Sequence, residues 1–210
     1  MRRKASKGNR RQDHFSRRAR REKYPARSVY KLQEIQRKFK VIGKGDRILD
    51  LGCSPGSWLL YAARLTGKHG RIVGIDLNPV SIPLPEHATV HVGDVQSADD
   101  RPKAVFEAPF QVVLSDMAPS TTGQRDTDAA RSYRLCRTAL ELARRVLTPG
   151  GHFVCKIFQG PDFPDFQQRV KENFKTTRVY KPQSSRKASK EIFVVGLGFQ
   201  KREQREDRVE

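Results

Sequence analysis

Carboxylates stand at the ends of three apolar segments that are typical of successive β-strands. Asp76 closes segment 71–76, Asp94 follows segment 89–92, and Asp116 closes segment 111–116. In a parallel sheet the strand ends share one edge, where a carboxylate at the position of Asp76 can accept hydrogen bonds from both hydroxyls of a ribose. Asp94 is placed to accept a bond from an adenine amino group. Each carboxylate alone is more often a turn or cap residue, but the series predicts a nucleoside-binding edge.

A loop with two glycines precedes these carboxylates. Gly52 and Gly56 lie in segment 50–58, between an apolar strand and a helical pattern. Glycines at this point let the backbone approach a ligand closely. The spacing is not the GxGxxG of dinucleotide-binding proteins, which argues against NAD and FAD as cofactors.

Lys156 is the residue most out of place in its own segment, because segment 152–158 is otherwise apolar. Such a strand belongs inside a parallel sheet, where an unpaired ammonium is costly. The simpler interpretation is a lysine at a strand end that reaches out to solvent. The alternative is an amine held inside the protein for chemistry.

The elements that must position these residues alternate between strands and helices, which predicts an α/β fold with a mostly parallel sheet. Ser28 is a candidate N-cap for a first helix that ends before Gly43. The connection 76–89 carries three prolines and therefore has no room for a normal helix. We predict helices at 58–65, 129–147 and 163–174, and seven strands at 47–51, 71–76, 89–92, 111–116, 152–158, 176–180 and 191–197.

The chain has 42 Lys and Arg against 23 Asp and Glu, a formal net charge of +19, which favours a polyanionic partner. Nucleic acid is preferred over a membrane surface, because no basic amphipathic helix with a broad apolar face is evident. Basic residues crowd the first 27 positions, which we interpret as an RNA-binding arm rather than a solubilising tail. The loop 181–190 is a second basic segment, and we expect it to contact RNA.

Three widely spaced cysteines and five scattered histidines show no metal-ligand spacing, so no metal site is expected. The cysteines are those of a reduced, cytoplasmic protein. No signal-peptide core follows the N-terminus. A mitochondrial transit peptide is the minor alternative, since the first residues are rich in arginine but lack an apolar face.

Several motifs, in the same order along the chain, resemble those of the FtsJ/RrmJ family of RNA 2′-O-ribose methyltransferases. The resemblance spans residues 26–198. One position departs from it: the family usually has a glycine where this chain has Ser57, which we expect to adopt an ordinary backbone conformation. The segments that carry the resemblance are 27–32, 50–58, 115–119, 149–151, 156–160, 181–186 and 190–191.

The resemblance implies a Rossmann-like class I methyltransferase fold, with a seven-stranded, mostly parallel sheet and helices on both faces. It implies S-adenosylmethionine as cofactor. We accordingly expect a basic arm, disordered in isolation, over 1–25, a methyltransferase domain over 26–199 and a charged tail over 200–210. The positions that hold the cofactor in the family are occupied here by Gly56, Trp58, Asp76, Asp94 and Asp116.

The resemblance also places Lys31, Asp116, Lys156 and Glu191 at the positions of the family's Lys-Asp-Lys-Glu catalytic tetrad. It implies that Lys156 accepts the proton of the 2′-hydroxyl, that Asp116 aligns Lys156, and that Lys31 and Glu191 orient the ribose. A free lysine titrates near pH 10.4, and neighbouring carboxylates favour its charged form. Two roles therefore stay open for Lys156: a neutral base, or a charged group that steers the hydroxyl and stabilises the developing oxyanion.

The expected activity is 2′-O-methylation of large-subunit ribosomal RNA, at a uridine in a structured loop, by a monomer. A transfer-RNA anticodon-loop methyltransferase has the same chemistry and is the first alternative. An RNA-binding ribosome-assembly factor that has lost activity is the second, and the complete tetrad argues against it. A dinucleotide oxidoreductase is disfavoured by the loop spacing and the basic charge.

Overall fold

The computed structural model describes residues 7–97, 109–186 and 188–201. Of the predicted segments, most of the tail 200–210 and the first six residues of the arm lie outside these ranges. The helices are α1 (Lys7–Arg21), α2 (Val29–Phe39), α3 (Ser57–Thr66), α4 (Arg125–Val146) and α5 (Phe163–Asn173). The strands are β1 (Arg47–Leu51), β2 (Arg71–Asp76), β3 (Ala88–Val92), β4 (Phe110–Ser115), β5 (Leu147–Phe158), β6 (Phe174–Tyr180) and β7 (Glu191–Phe199).

The strands form one seven-stranded sheet in the order β3-β2-β1-β4-β5-β7-β6. Strands β1 to β5 pair in parallel, and β7 runs antiparallel to both β5 and β6. The order in which strands are added to the sheet reverses at β1, because β2 and β3 lie on one side of β1 and β4 and β5 lie on the other. A ligand site is expected at the carboxyl ends of the strands at this reversal. The predicted fold class and strand set are confirmed, and the connection from β2 to β3 contains no helix.

Helices cover both faces of the sheet, as predicted. Helices α2 and α3 pack on one face through Leu32, Ile35, Trp58 and Leu59, against alternate residues of the strands that include Val154. Helices α4 and α5 cover the other face, where Cys136, Leu140 and Phe166 meet Phe153 and Cys155. Alternate residues of one strand point to opposite faces, so the even-numbered residues of β5, Lys156 among them, point towards α2 and α3.

The N-terminal segment differs from the expectation of disorder, because Lys7–Arg21 form helix α1. Ala19 and Tyr24 are buried with Val29 and Tyr30, and Phe15 packs against this cluster. Phe15 and Ala19 are four residues apart and so share one helix face. The guanidinium of Arg18 also stacks 4.7 Å from the centroid of the Tyr30 ring. A small apolar stripe within a basic sequence thus docks the helix on the start of α2.

Across the part of the chain that the structure describes, no helix combines the length and apolar character needed to cross a membrane.

Candidate active site

Three of the predicted cofactor residues line one cavity at the carboxyl edge of the sheet. The cavity has a volume of about 390 Å³, and Asp76, Asp94 and Asp116 lie on its walls with Gly52 and Leu77. It lies at the carboxyl ends of β1 and β4, where the strand order reverses and a ligand site is expected. The carboxylates at the ends of the strands therefore converge on one cavity, as expected.

The walls of this cavity are held by hydrogen bonds from the backbone to the carboxylates. Asp76 accepts bonds from the backbone N–H of Ser54 at 2.9 Å and of Asn78 at 2.8 Å, one on each oxygen. Gly52 has φ +75°, and a Cβ atom there would lie 2.8 Å from the Cγ of Met117. Only glycine therefore allows this loop to pass so close to the end of β4.

The cavity suits a nucleoside that carries positive charge. Carboxylates accept bonds from ribose hydroxyls and attract an ammonium or a sulfonium. Leu77, with 66% of its surface exposed, adds an apolar wall where a planar base can pack. Sequence reasoning did not single out Leu77, although its position directly after Asp76 was the available signal.

Gly56 and Trp58 lie outside this cavity. Gly56 has φ +104°, and a Cβ there would come within 2.7 Å of Ile82 and 2.9 Å of Val80. Trp58 is 3% exposed, and its indole N–H donates to the backbone carbonyl of Ser28 at 2.9 Å. The structure therefore gives Gly56 a packing role against the β2–β3 connection and gives Trp58 a contact with the start of α2.

Ser57 reinforces the same connection between α3 and α2. Its hydroxyl accepts a bond from the N–H of Ala26 at 2.8 Å and lies 3.1 Å from the carbonyl of Ala26, to which it donates. The residues other than glycine with positive φ in the described ranges are Lys23 and Lys40. The prediction that Ser57 adopts an ordinary conformation is confirmed, and the serine contributes two hydrogen bonds that a glycine would lack.

Lys156 and Asp116 form a buried ion pair beside the cavity. The Nζ of Lys156 lies 2.9 Å from the Oδ1 of Asp116 and donates a hydrogen bond to the backbone carbonyl of Asp116 at 2.5 Å. Lys156 is only 6% exposed, so the interpretation of a lysine reaching out to solvent is wrong.

Lys31 and Glu191 form the second ion pair. The Nζ of Lys31 is 2.8 Å from both carboxylate oxygens of Glu191. Lys156 is directly opposite Phe193 in the sheet, and Glu191 is two residues from Phe193, so the three side chains share one face. Lys31 reaches this face from α2, with its Nζ 6.0 Å from the centroid of the Phe193 ring. The four tetrad residues thus lie as two ion pairs on one face, near the carboxyl end of β5.

Asp50 is a further acidic residue of the site, and sequence reasoning gave it no separate role. Its side chain is fully buried, and neither carboxylate oxygen has a hydrogen-bond partner among the residues that the structure describes. Burial, followed by the charges of Asp116 and Asp76, raises the pKa of Asp50 well above its usual range. The only prior signal was a charged residue in the otherwise apolar strand β1.

The loop between β6 and β7 is held against α2 by Glu34. One oxygen of Glu34 accepts bonds from the hydroxyl of Tyr180 at 3.1 Å and the N–H of Gln183 at 2.7 Å, and the other accepts from Ser184. Arg27 donates to the carbonyl of Ser184. These bonds fix the basic loop beside Glu191. Its contact with RNA stays a prediction, and Lys187 lies outside the described residues.

The cysteines are free and buried, in agreement with the reading of reduced core residues. Within the described ranges, no group of three or more His, Cys, Asp or Glu side chains is arranged to hold a metal ion.

A sheet of this order, with a nucleoside-sized cavity at its reversal, defines a Rossmann-like class I methyltransferase. Solved structures share the fold. A ribosomal RNA methyltransferase from Plasmodium falciparum aligns with a TM-score of 0.73 at 24% identity, covering 84% of this chain and 98% of that one. Fibrillarin from Aeropyrum pernix, in complex with S-adenosyl-L-methionine, aligns with a TM-score of 0.53 at 15% identity, covering 75% of this chain and 68% of that one.

The sequence comparisons identify the family. The model of the FtsJ-like methyltransferases matches residues 24–199, and this chain belongs to that family. Ribosomal RNA large subunit methyltransferase E of Desulforapulum autotrophicum is 54% identical over 186 residues, which are 89% of this chain and 92% of the relative. The protein of the same name from Desulfosudis oleivorans is 50% identical over 203 residues, 97% of each chain.

Proposed function

We propose that this protein transfers the methyl group of S-adenosylmethionine to a ribose 2′-hydroxyl of large-subunit ribosomal RNA, at a uridine. The observation that carries the proposal is the buried Lys156–Asp116 ion pair at the wall of the carboxylate-lined cavity. Relatives with about 50% identity over most of the chain carry the name of large-subunit ribosomal RNA methyltransferases. The net charge of +19 favours an RNA substrate over a small molecule.

Asp76, Asp94 and Asp116 hold the cofactor in this proposal, with Leu77 against its base. When bound, S-adenosylmethionine supplies an electrophilic methyl group on a positively charged sulfur. The carboxylates compensate that charge, and Asp76 is the ligand of the ribose hydroxyls. Gly52 lets the loop that forms this wall of the cavity pass close to the end of β4, because a Cβ atom there would lie 2.8 Å from the Cγ of Met117.

Lys156 acts in its charged form. An ammonium that lies 2.9 Å from a carboxylate oxygen and donates to a carbonyl has one N–H left for a third partner. With S-adenosylmethionine bound, that N–H would orient the 2′-oxygen towards the methyl group, and such orientation contributes much of the rate enhancement. The 2′-oxygen would form the new bond to the methyl carbon, and the bond from that carbon to sulfur would break. The former hydroxyl proton then leaves to water, since a protonated ether oxygen is a strong acid.

Lys31 and Glu191 orient the acceptor ribose. Their paired charges, 2.8 Å apart, present a cation and an anion on the face of the sheet from which Lys156 projects. Glu191 can accept a bond from a sugar hydroxyl, and Lys31 can bind an adjacent oxygen. Outside the site, the proposal includes a cytoplasmic monomer, RNA contacts from the N-terminal segment and the 181–190 loop, and a catalytic domain over 26–199.

The test is transfer of labelled methyl from S-adenosylmethionine to large ribosomal subunits and to transfer RNA in parallel, followed by mapping of the modified ribose. Label in the large subunit, at a 2′-O-methyluridine, is the expected result. Label in transfer RNA instead would refute the assigned substrate. Absence of transfer to both substrates by a protein that binds S-adenosylmethionine would refute the activity.

Lys156→Ala tests the site itself. The variant should lose transfer while its cofactor affinity, measured by calorimetry, persists. Lys171→Ala is the matched control, because Lys171 is an exposed lysine on α5. Near-normal turnover by Lys156→Ala, or equal losses in the two variants, would contradict the role of Lys156.

A further inference from the structure

A second cavity lies at the end of β5, next to the start of β7. Its volume is about 330 Å³, and it is bordered by the β4–α4 loop, the start of α4, the end of β5 and the end of the β6–β7 loop. We call it the Phe158 pocket, and it is lined by Thr121, Gly123, Arg125, Asp128, Phe158 and Lys190 among others. Neither the family match nor the names of the relatives assign it a ligand.

The ring of Phe158 is an aromatic side chain without a core to fill. It is half-buried, and it belongs to none of the apolar clusters that pack the two faces of the sheet and the N-terminal helix. Its backbone N–H donates a hydrogen bond to the hydroxyl of Ser132. An aromatic ring that is partly exposed in a cavity offers a stacking surface for a planar base.

Two cations flank this ring. Arg125 and Lys190 both line the cavity, and neither side chain has an ion pair or hydrogen bond with the residues that the structure describes. Asp128, the acidic residue of the lining, is occupied by bonds from Thr122 and Gly123, which fix the loop wall. Two cations against the one carboxylate of Asp128 give the lining a net charge of +1, which complements a phosphodiester.

The pocket adjoins the catalytic groups directly. Phe158 is two residues beyond Lys156 in β5, so the two side chains leave the strand on the same side, roughly 7 Å apart. Phe158 is also directly opposite Glu191 in the sheet, and Lys190 precedes Glu191. A ribose held between Lys156 and Glu191 would have its base within reach of Phe158.

We propose that the Phe158 pocket receives the base of the nucleotide that is methylated, stacked on Phe158, with an adjoining phosphate on Arg125 and Lys190. This proposal rests on the proposed function, since it assumes an RNA acceptor. A single nucleotide then spans the pocket and the catalytic ion pairs. Phe158 is a substrate-binding residue that decides whether an extruded base is retained.

The first arm of the test changes the ring. Loss of base stacking typically lowers affinity roughly 5- to 150-fold, so Phe158→Leu should lower kcat/KM for RNA by a factor in that range. Phe158→Tyr keeps an aromatic ring and should retain most of the wild-type value. Cofactor affinity and the thermal midpoint should be unchanged in both variants, because the ring packs in no core cluster. The wild-type enzyme acting on RNA with an abasic site at the mapped nucleotide should show a loss similar to that of Phe158→Leu.

The combination of Phe158→Leu with the abasic RNA should be no worse than either change alone, because both remove the same contact. Additive losses, or a Phe158→Leu variant equal to wild type, would refute the pocket while leaving the proposed function intact. A wild-type enzyme that binds cofactor but methylates no RNA would overturn both proposals.

The second arm removes a charge. Arg125→Gln should reduce the slope of log KM against log salt by about 0.7 to 0.9, the amount expected for one phosphate contact. Arg144→Gln is the control, because Arg144 is an exposed arginine near the other end of α4. Equal slopes for the two variants would show that Arg125 contacts no phosphate and would refute that part of the proposal.

Discussion

The substitution Trp58→Phe separates a cofactor-binding role of Trp58 from a positioning role. The indole N–H shares the carbonyl of Ser28 with the backbone N–H of Lys31, at 2.9 and 3.0 Å. Phenylalanine removes the bond from the indole but leaves the bond from Lys31. The lost buried hydrogen bond costs about 1 kcal/mol. With the space left by the smaller ring, we expect a loss of about 2–3 kcal/mol in the free energy of unfolding.

The kinetic effect follows from the position of Lys31 in the first turns of α2. If the start of this helix shifts, the Lys31–Glu191 pair moves relative to the acceptor ribose, and an ångström-scale displacement lowers rates by up to roughly 100-fold. We therefore expect a lower kcat at saturating cofactor, with an unchanged dissociation constant for S-adenosylmethionine. Calorimetry, single-turnover methyl transfer and urea unfolding measure the three quantities.

Leu77→Ala is the matched comparison, because Leu77 lines the cofactor cavity and is exposed. It should weaken cofactor binding with little effect on stability, the reverse of the pattern for Trp58→Phe. A Trp58→Phe variant with weakened cofactor affinity, normal kcat and normal stability would refute the positioning role. Such a result would restore the interpretation drawn from the family resemblance.

Two further predictions concern titratable groups whose pKa is shifted by full or partial burial. The pKa of Asp50 is raised by its burial and by Asp116 and Asp76, so folding favours the protonated form and stability falls as pH rises above the usual carboxyl pKa, about 3.9. Asp50→Asn should therefore be more stable than wild type at pH 7 and lose this advantage near pH 3. If the variant and wild type had equal urea midpoints at each pH, the raised pKa of Asp50 would be contradicted. The pKa of His152 is lowered chiefly by burial, and its Nδ1 accepts a bond from the N–H of Gly198 at 3.2 Å. The contribution of His152 to stability is complete above about pH 6.5 and declines as pH falls below that value. The thermal midpoint of His152→Gln should therefore fall less than that of wild type between about pH 7 and 5. Parallel curves of thermal midpoint against pH would show that His152 does not cause the loss.

Local patterns were sufficient for most of the fold because they report which side of an element is buried. The bounds of β1 and β2 agree with those predicted, and α5 differs by one residue. Helix α1 was missed because its apolar stripe is short and the surrounding arginines dominate the composition. That helix is stabilised by Phe15 and Ala19 packing on Tyr30, a contact between segments that no local pattern reveals.

The amino-acid sequence by itself determined the strands of the sheet and the carboxylates at their ends, because the periodicity of apolar residues is a local property of the chain. The four tetrad residues followed from the resemblance of the motifs to those of the family. Only the tertiary structure decided which of the implied cofactor residues line a cavity. It places Trp58 and Gly56 outside that cavity, in packing contacts. It also decided that the tetrad consists of two separate ion pairs, and that Phe158 lies outside the apolar clusters of the described residues. Distances between residues far apart in the chain depend on how the helices pack across the sheet, and that packing is a property of the whole fold.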